Sequence, residues 1–167
     1  MKSPAFGIDI SDRSIELVSL IAKKGLPVVD RHARMEVPAG IINRGVIADH
    51  ETLVDMLCRL FEAAAGGRRA GIRLGFSLSE TSVFSRNFVF PESLSKENAE
   101  KAMLNEAIDT MPIPFAGVVA DSWESRPSAG ARRYFFTVTQ RENAAAWQAV
   151  FTAAGIVPSF FDCESLA

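Results

Sequence analysis

The sequence predicts an α/β protein built as two lobes, and three observations carry that prediction. Residues 5–37 read as three consecutive strands with short turns between them. A segment with one Pro and two Gly, Pro38 to Gly45, then crosses to a second group of elements. Helical stretches alternate with the later strands, so the order is βββ, crossing, αββαββ, then αβ.

Each element has a local reason. Ala5 to Ile10 is a buried strand with Asp9 near its end, and Ser11-Asp12-Arg13 turns the chain. Ser14 to Ala22 is rich in Ile, Leu and Val. Lys23-Lys24-Gly25 leads into Pro27 to Val37, where Arg and His alternate with apolar residues as on a strand with one wet face. Asp49 is a good helix N-cap, with Glu51 in the first turn. Leu53, Met56, Leu57, Leu60 and Phe61 give the helix an apolar face, and Gly66-Gly67 ends it. Ile72 to Ser79 and Ser82 to Phe90 read as two strands joined near Glu80-Thr81. Ser95 caps a helix from about Lys96 to Thr110, with Leu104, Ala107, Ile108 and Met111 as its stripe and Pro112 and Pro114 as its stop. Gly117 to Glu124 and Arg132 to Thr139 read as a hairpin around Pro127-Ser128-Ala129-Gly130. The last helix runs from about Glu142 to Ala154, with Trp147 on its core face. Ile156 to Phe161 closes the chain, and the adjacent Phe160 and Phe161 predict a strand covered on both faces.

Composition narrows the function classes. The chain has 167 residues, 48% hydrophobic and 23% charged, which excludes a disordered chain. At this length about 70% of the unfolded surface can be buried, so no staples are needed. The net charge of -2 and the scattered basic pairs (Lys23–Lys24, Arg68–Arg69, Arg132–Arg133) argue against nucleic acid as a partner. Cys58 and Cys163 are far apart and read as reduced thiols. His32 and His50 stand alone, without metal-ligand spacing. Asp9 and Asp12 interrupt the first apolar stretch before a signal-peptide core forms, and no apolar run reaches the roughly 18 residues of a membrane span. Membrane association is therefore expected only through a partner. No acidic pair sits at a catalytic spacing, and Ser77, Ser79, Ser82 and Ser85 lack a nucleophile-elbow context.

Four phrases in order resemble the PilM family, the branch of the actin-like superfamily found in type IV pilus assembly and structurally related to FtsA. The first is Phe6-Gly7-Ile8-Asp9-Ile10 through Ser14-Ile15-Glu16-Leu17-Val18-Ser19-Leu20, similar to the family's opening hairpin. The second is Pro38-Ala39-Gly40-Ile41-Ile42 with Gly45-Val46-Ile47-Ala48-Asp49. The third runs from Phe88-Val89-Phe90-Pro91 through Asn105-Glu106-Ala107 to Met111-Pro112. The fourth is Ala154-Gly155-Ile156-Val157-Pro158 to Asp162-Cys163-Glu164-Ser165-Leu166-Ala167.

The resemblance implies an actin-like (ribonuclease-H-like) N-terminal half. Residues 1–38 and 132–167 would form subdomain 1A, and 39–131 an inserted subdomain 1C of SHS2-type αββαββ order. The chain would end before subdomain 2. The implied function is a non-enzymatic cytoplasmic scaffold, peripheral to the inner membrane. It would dock the N-terminal tail of a bitopic PilN-like partner, and self-association is compatible with it. Trp123, on the hairpin of the inserted lobe, is the candidate for a partner groove. Two alternatives are a fragment of an actin-like ATPase and the cytoplasmic actin-like component of type II secretion.

In the superfamily the first hairpin is a phosphate loop, and its positions carry over one by one. Asp9 stands where an acid holds Mg²⁺ through water; a strand-end acid capping a turn explains it equally. The Gly position holds Ser11, the hydroxyl position Asp12 and the Lys position Glu16. A misplaced unit charge ~4 Å from phosphate costs on the order of 4 kcal/mol at an effective dielectric near 20. Even a screened fraction of that removes about tenfold in affinity. Asp9, Ser11 and Ser14 are left as a vestigial phosphate and Mg²⁺ loop. No cofactor is expected, ATP and Mg²⁺ only where a second half is supplied.

Overall fold

The structure is a computed structural model and describes residues 5–67, 71–111, 116–128 and 130–164, without the side chains of 126–128. Arg68–Arg69, Pro112, Pro114, Ala129 and the final Ser165-Leu166-Ala167, all named above, lie outside the described residues.

The chain forms two compact units, Met1–Ser82 with Ala145–Ala167, and Val83–Ala144. In the first, β1 (Ala5–Ile10), β2 (Ser14–Lys23) and β3 (Leu26–Glu36) make the expected antiparallel meander. The strand β6 (Arg73–Leu78) pairs parallel with β1, and β10 (Phe160–Cys163) pairs parallel with β6. The sheet order is β10-β6-β1-β2-β3. Alternation sends Phe6, Ile8 and Ile10 of β1, Ile15 and Leu17 of β2, and Leu74, Phe76 and Leu78 of β6 into the core.

Helix α1 (His50–Ala65) covers that face with Leu53, Met56, Leu57, Leu60 and Phe61. The Asp49 carboxylate accepts from the Thr52 amide at 3.0 Å and caps it, and Gly66 closes it in the left-handed region at φ 58°. The later turns of α3 (Arg141–Ala153) add Trp147, Val150 and Phe151, and the Phe76 ring lies 5.0 Å from Trp147 and 4.8 Å from Phe151.

Two short strands inside the crossing, β4 (Ile42–Asn43) and β5 (Val46–Ile47), form a hairpin absent from the sequence expectation. Its turn residues Arg44 and Gly45 both have positive φ, 51° and 71°, as a two-residue hairpin with right-handed twist requires.

The second unit runs β7 (Val83–Pro91), α2 (Lys96–Thr110), β8 (Val118–Ser128), β9 (Ala131–Gln140), with sheet order β7-β9-β8. One sheet face packs on α2 through Phe88, Tyr134, Phe136 and Val138 against Ala99, Met103 and Ala107.

The two strands expected to join near Glu80-Thr81 do so through a 3₁₀ turn, Glu80–Ser82, which passes the chain from one sheet to the other, and β6 sits between β1 and β10. Helix α1 and β6 belong to the five-stranded unit, and the second unit has the order βαββ. The expectations for α2 and β10 are corrected here. The α2 stripe is Ala99, Met103 and Ala107, while Leu104 and Ile108 are exposed, because small residues let the helix approach the large sheet aromatics. Finally, β10 is an edge strand whose Phe160 is 66% exposed, although the Phe161 ring lies 5.1 Å from Phe76.

Candidate functional site

Two places hold the residues singled out in the sequence: the β1–β2 turn and the open face of the three-stranded sheet.

The turn is closed on itself. The Ser11 amide donates to the Ser14 carbonyl at 2.9 Å, and the Ser14 amide returns to Ser11 Oγ at 3.1 Å. The two serine Oγ atoms are 3.4 Å apart. Ser11 Oγ also accepts the Arg13 amide at 3.3 Å. Both hydroxyls are thus engaged in stapling the turn.

Asp12 reaches out of the turn to the β4–β5 hairpin. Its Oδ2 accepts the Arg44 amide at 2.7 Å and its Oδ1 the Gly45 amide at 3.0 Å. Successive amides in such a turn make an anion-binding concavity. Here the chain fills it with its own carboxylate. Gly45 is locked on its other sides too. Its carbonyl accepts Trp147 Nε1 at 3.0 Å, and a Cβ there would lie 3.1 Å from Ser79 and Ser82.

Glu16 is an ion-pair partner within the sheet, its Oε1 2.7 Å from Arg34 Nη1 across the β2–β3 ladder. On its other side its register partner is Asp9. Asp9 is exposed on β1 and, with Glu16, Val18, His32 and Ser77, lines a shallow hollow of about 390 Å³ on the outer face of the five-stranded sheet. Gly7 and Gly75, register partners, deepen it. Two acids at the same end of this hollow repel phosphate. Among the described residues no His, Cys, Asp and Glu cluster can hold a metal ion.

Trp123 belongs to the second unit and is 59% exposed. Its neighbour Glu124 points to the opposite, α2-side face, where Oε1 accepts Arg132 Nη1 at 2.8 Å. Arg132 Nε also donates to the Leu94 carbonyl at 3.2 Å. The hydrogen bond to Glu124 holds the Arg132 guanidinium more firmly protonated than usual. Burial pushes the Tyr134 hydroxyl up, and the Glu124 charge adds to it. This locked face leaves the other free. There Trp123, Phe135 and Asn87 lie in register across β8, β9 and β7, with Val119 and Val89 exposed beside them. Phe135 was missed in the sequence. Its alternation with Tyr134 and Phe136 is the signal that places it on the Trp123 side.

The sequence from residue 7 to 167 matches the family model described as type IV pilus assembly protein PilM. The chain belongs to the PilM family. Among curated proteins none matches it. A solved structure described as a PilM–PilN type IV pilus biogenesis complex is similar with a TM-score of 0.78 at 21% identity, over 99% of this chain and 48% of that one. The cytoplasmic domain of EpsL, an inner-membrane component of the type II secretion system of Vibrio cholerae, is similar with a TM-score of 0.58 at 11% identity, over 98% of this chain and 58% of that one. At these identities the likeness establishes a mixed α/β fold of the actin-like, PilM type. The chain spans about half the length of the solved structures it matches.

Proposed function

We propose that this chain is the N-terminal half of a PilM-like scaffold. It is cytoplasmic, does no catalysis, and is held at the inner membrane by the N-terminal tail of a bitopic PilN-like partner. The observation that carries the reading is the open face and free edge of the three-stranded sheet. The strand β8 is an edge strand with Trp123 largely exposed on it, so an extended peptide can add to the edge and seat a side chain against Trp123 and Phe135. Family membership points the same way, and the similar PilM–PilN structure is of such a complex.

The two compact units support a division into subdomains. The five-stranded unit is subdomain 1A. The inserted βαββ unit is subdomain 1C. The outer face of the five-stranded sheet, with Gly7, Gly75 and the exposed Phe160, supports the assignment to a half that packs against further chain.

A second reading, a nucleotide-binding fragment of an actin-like ATPase, rests on the hollow beside Asp9. Ser11 and Ser14 as spent hydroxyls, Asp12 as a clamp and Glu16 as an ion pair all weigh against it. Titrating an ATP analogue with Mg²⁺ separates the readings. Ser11→Gly with Glu16→Lys gains affinity only under the second. The first is tested by titrating a labelled PilN-type N-terminal peptide against the chain and against Trp123→Ala.

A further inference from the structure

Among its described residues the five-stranded unit carries two surfaces of opposite charge. One is the tip of the β2–β3 hairpin. Among the described residues the pairing of β2 with β1 stops at Ser19, and the last residues of β2 pair with the first of β3 as a two-stranded ribbon. The ribbon carries Ile21, Val28 and Leu26, 39%, 37% and 68% exposed. Lys23 and Lys24 stand at its end, and Lys24 and Gly25, at φ 53° and 80°, fix a tight two-residue turn. Neither lysine has an ion pair among the described residues.

The other surface is an open groove of about 500 Å³ between α1 and α3. Val54, Ala149 and Ala153 give it apolar walls, and Glu51 and Asp55, with His50 beside them, give it acid. Glu51 and Asp55 are four residues apart on one helix face, and neither is paired among the described residues.

The two surfaces are complementary and lie at opposite ends of the unit. Asp12 ties the Ser11–Ser14 turn to the β4–β5 hairpin, directly ahead of α1, so the first turns of α1 sit at that end. The Lys23–Lys24 tip is at the far end of β2, a strand of 10 residues, about 33 Å long. One copy cannot close the contact on itself. A contact between unlike surfaces is heterologous and repeats head to tail.

We propose that this is a self-association surface: the Lys23–Lys24 hairpin tip of one copy seats in the α1/α3 groove of the next. The aliphatic side chains fill the apolar walls, and the lysines meet Glu51 and Asp55. A single hairpin in a groove buries less than a standard interface, so association is weak and reversible.

Charge reversal tests it. Variant one carries Lys23→Glu and Lys24→Glu; variant two carries Glu51→Lys and Asp55→Lys. Sedimentation equilibrium on the chain at about 0.15 M salt, up to about 1 mM protein, gives the mass. The wild type gains mass with concentration, and each variant alone associates tenfold or more weakly, since like charges face each other. An equimolar mixture of the two regains association, because each reversed surface then meets its complement. Leu26→Ser weakens the wild type without altering charge. Three results would overturn the proposal: a wild type monomeric throughout, association indifferent to the reversals, or a mixture no better than its components. Recovery in the mixture also shows that both variants fold.

Discussion

Asp12→Ala puts the clamp between the β1–β2 turn and the β4–β5 hairpin to the test. The wild-type carboxylate accepts two successive amides, Arg44 at 2.7 Å and Gly45 at 3.0 Å. A hydrogen bond to a charged group is worth about 1.5–3 kcal/mol. The Arg44 bond is solvent-exposed and counts for less; the Gly45 bond is partly buried and counts nearly in full. Together they give about 2–3 kcal/mol for Asp12→Ala. At about 2–4 °C per kcal/mol for a chain of this size, Tm falls by about 4–12 °C. Asp12→Asn keeps one carbonyl oxygen and turns its NH₂ toward the other amide, so it loses about half as much or more. Thermal unfolding followed by circular dichroism reads both. A Tm within about 1 °C of wild type for Asp12→Ala would refute the clamp. A Tm for Asp12→Asn equal to wild type would refute its two-pronged form.

Further outcomes follow from the same contacts. Gly45→Ala forces a left-handed φ of 71° on a residue whose Cβ would lie 3.1 Å from Ser79 and Ser82, and costs about 2 kcal/mol or more in urea unfolding. Trp147→Phe leaves the Gly45 carbonyl without its indole donor and costs about 1–3 kcal/mol by the same measurement. The Thr52 amide holds the Asp49 carboxyl below its usual range. Its contribution to stability is present above the ordinary Asp pKa and is lost as pH falls through the lowered value. The Tm difference between wild type and Asp49→Ala is therefore greater at neutral pH than in acid. Trp123→Ala changes stability by no more than about 0.5 kcal/mol, because the side chain is 59% exposed, while it weakens partner binding.

Local patterning made most elements legible. Asp49 and Gly66 bound α1 as read, and the meander of β1, β2 and β3 fell within a residue or two of expectation. Pairing partners were not legible. The alternation in Leu74, Phe76 and Leu78 says that one face of β6 is buried, yet says nothing of which strand lies beside it. Hydrophobicity also misled at α2, where the core takes Ala99 and Ala107 and leaves Leu104 and Ile108 outside. At the β1–β2 turn the residue identities were informative, but their structural roles were not. Asp12 and Glu16 stand out in the sequence as carboxylates at phosphate positions. Only the fold supplies Arg44, Gly45 and Arg34 as their partners, at separations of 18 residues or more along the chain. Trp123 was legible as a candidate, whereas the Phe135 beside it needed the β8–β9 register.

The central claim is that this chain docks a peptide through the Trp123 face. Fluorescence anisotropy of a labelled PilN-type N-terminal peptide, titrated with the chain, tests it most directly. The account predicts saturable binding in the micromolar range that Trp123→Ala weakens tenfold or more, an effect of about 1.4 kcal/mol. Binding that does not saturate at high micromolar protein, or that Trp123→Ala leaves unchanged, would contradict it.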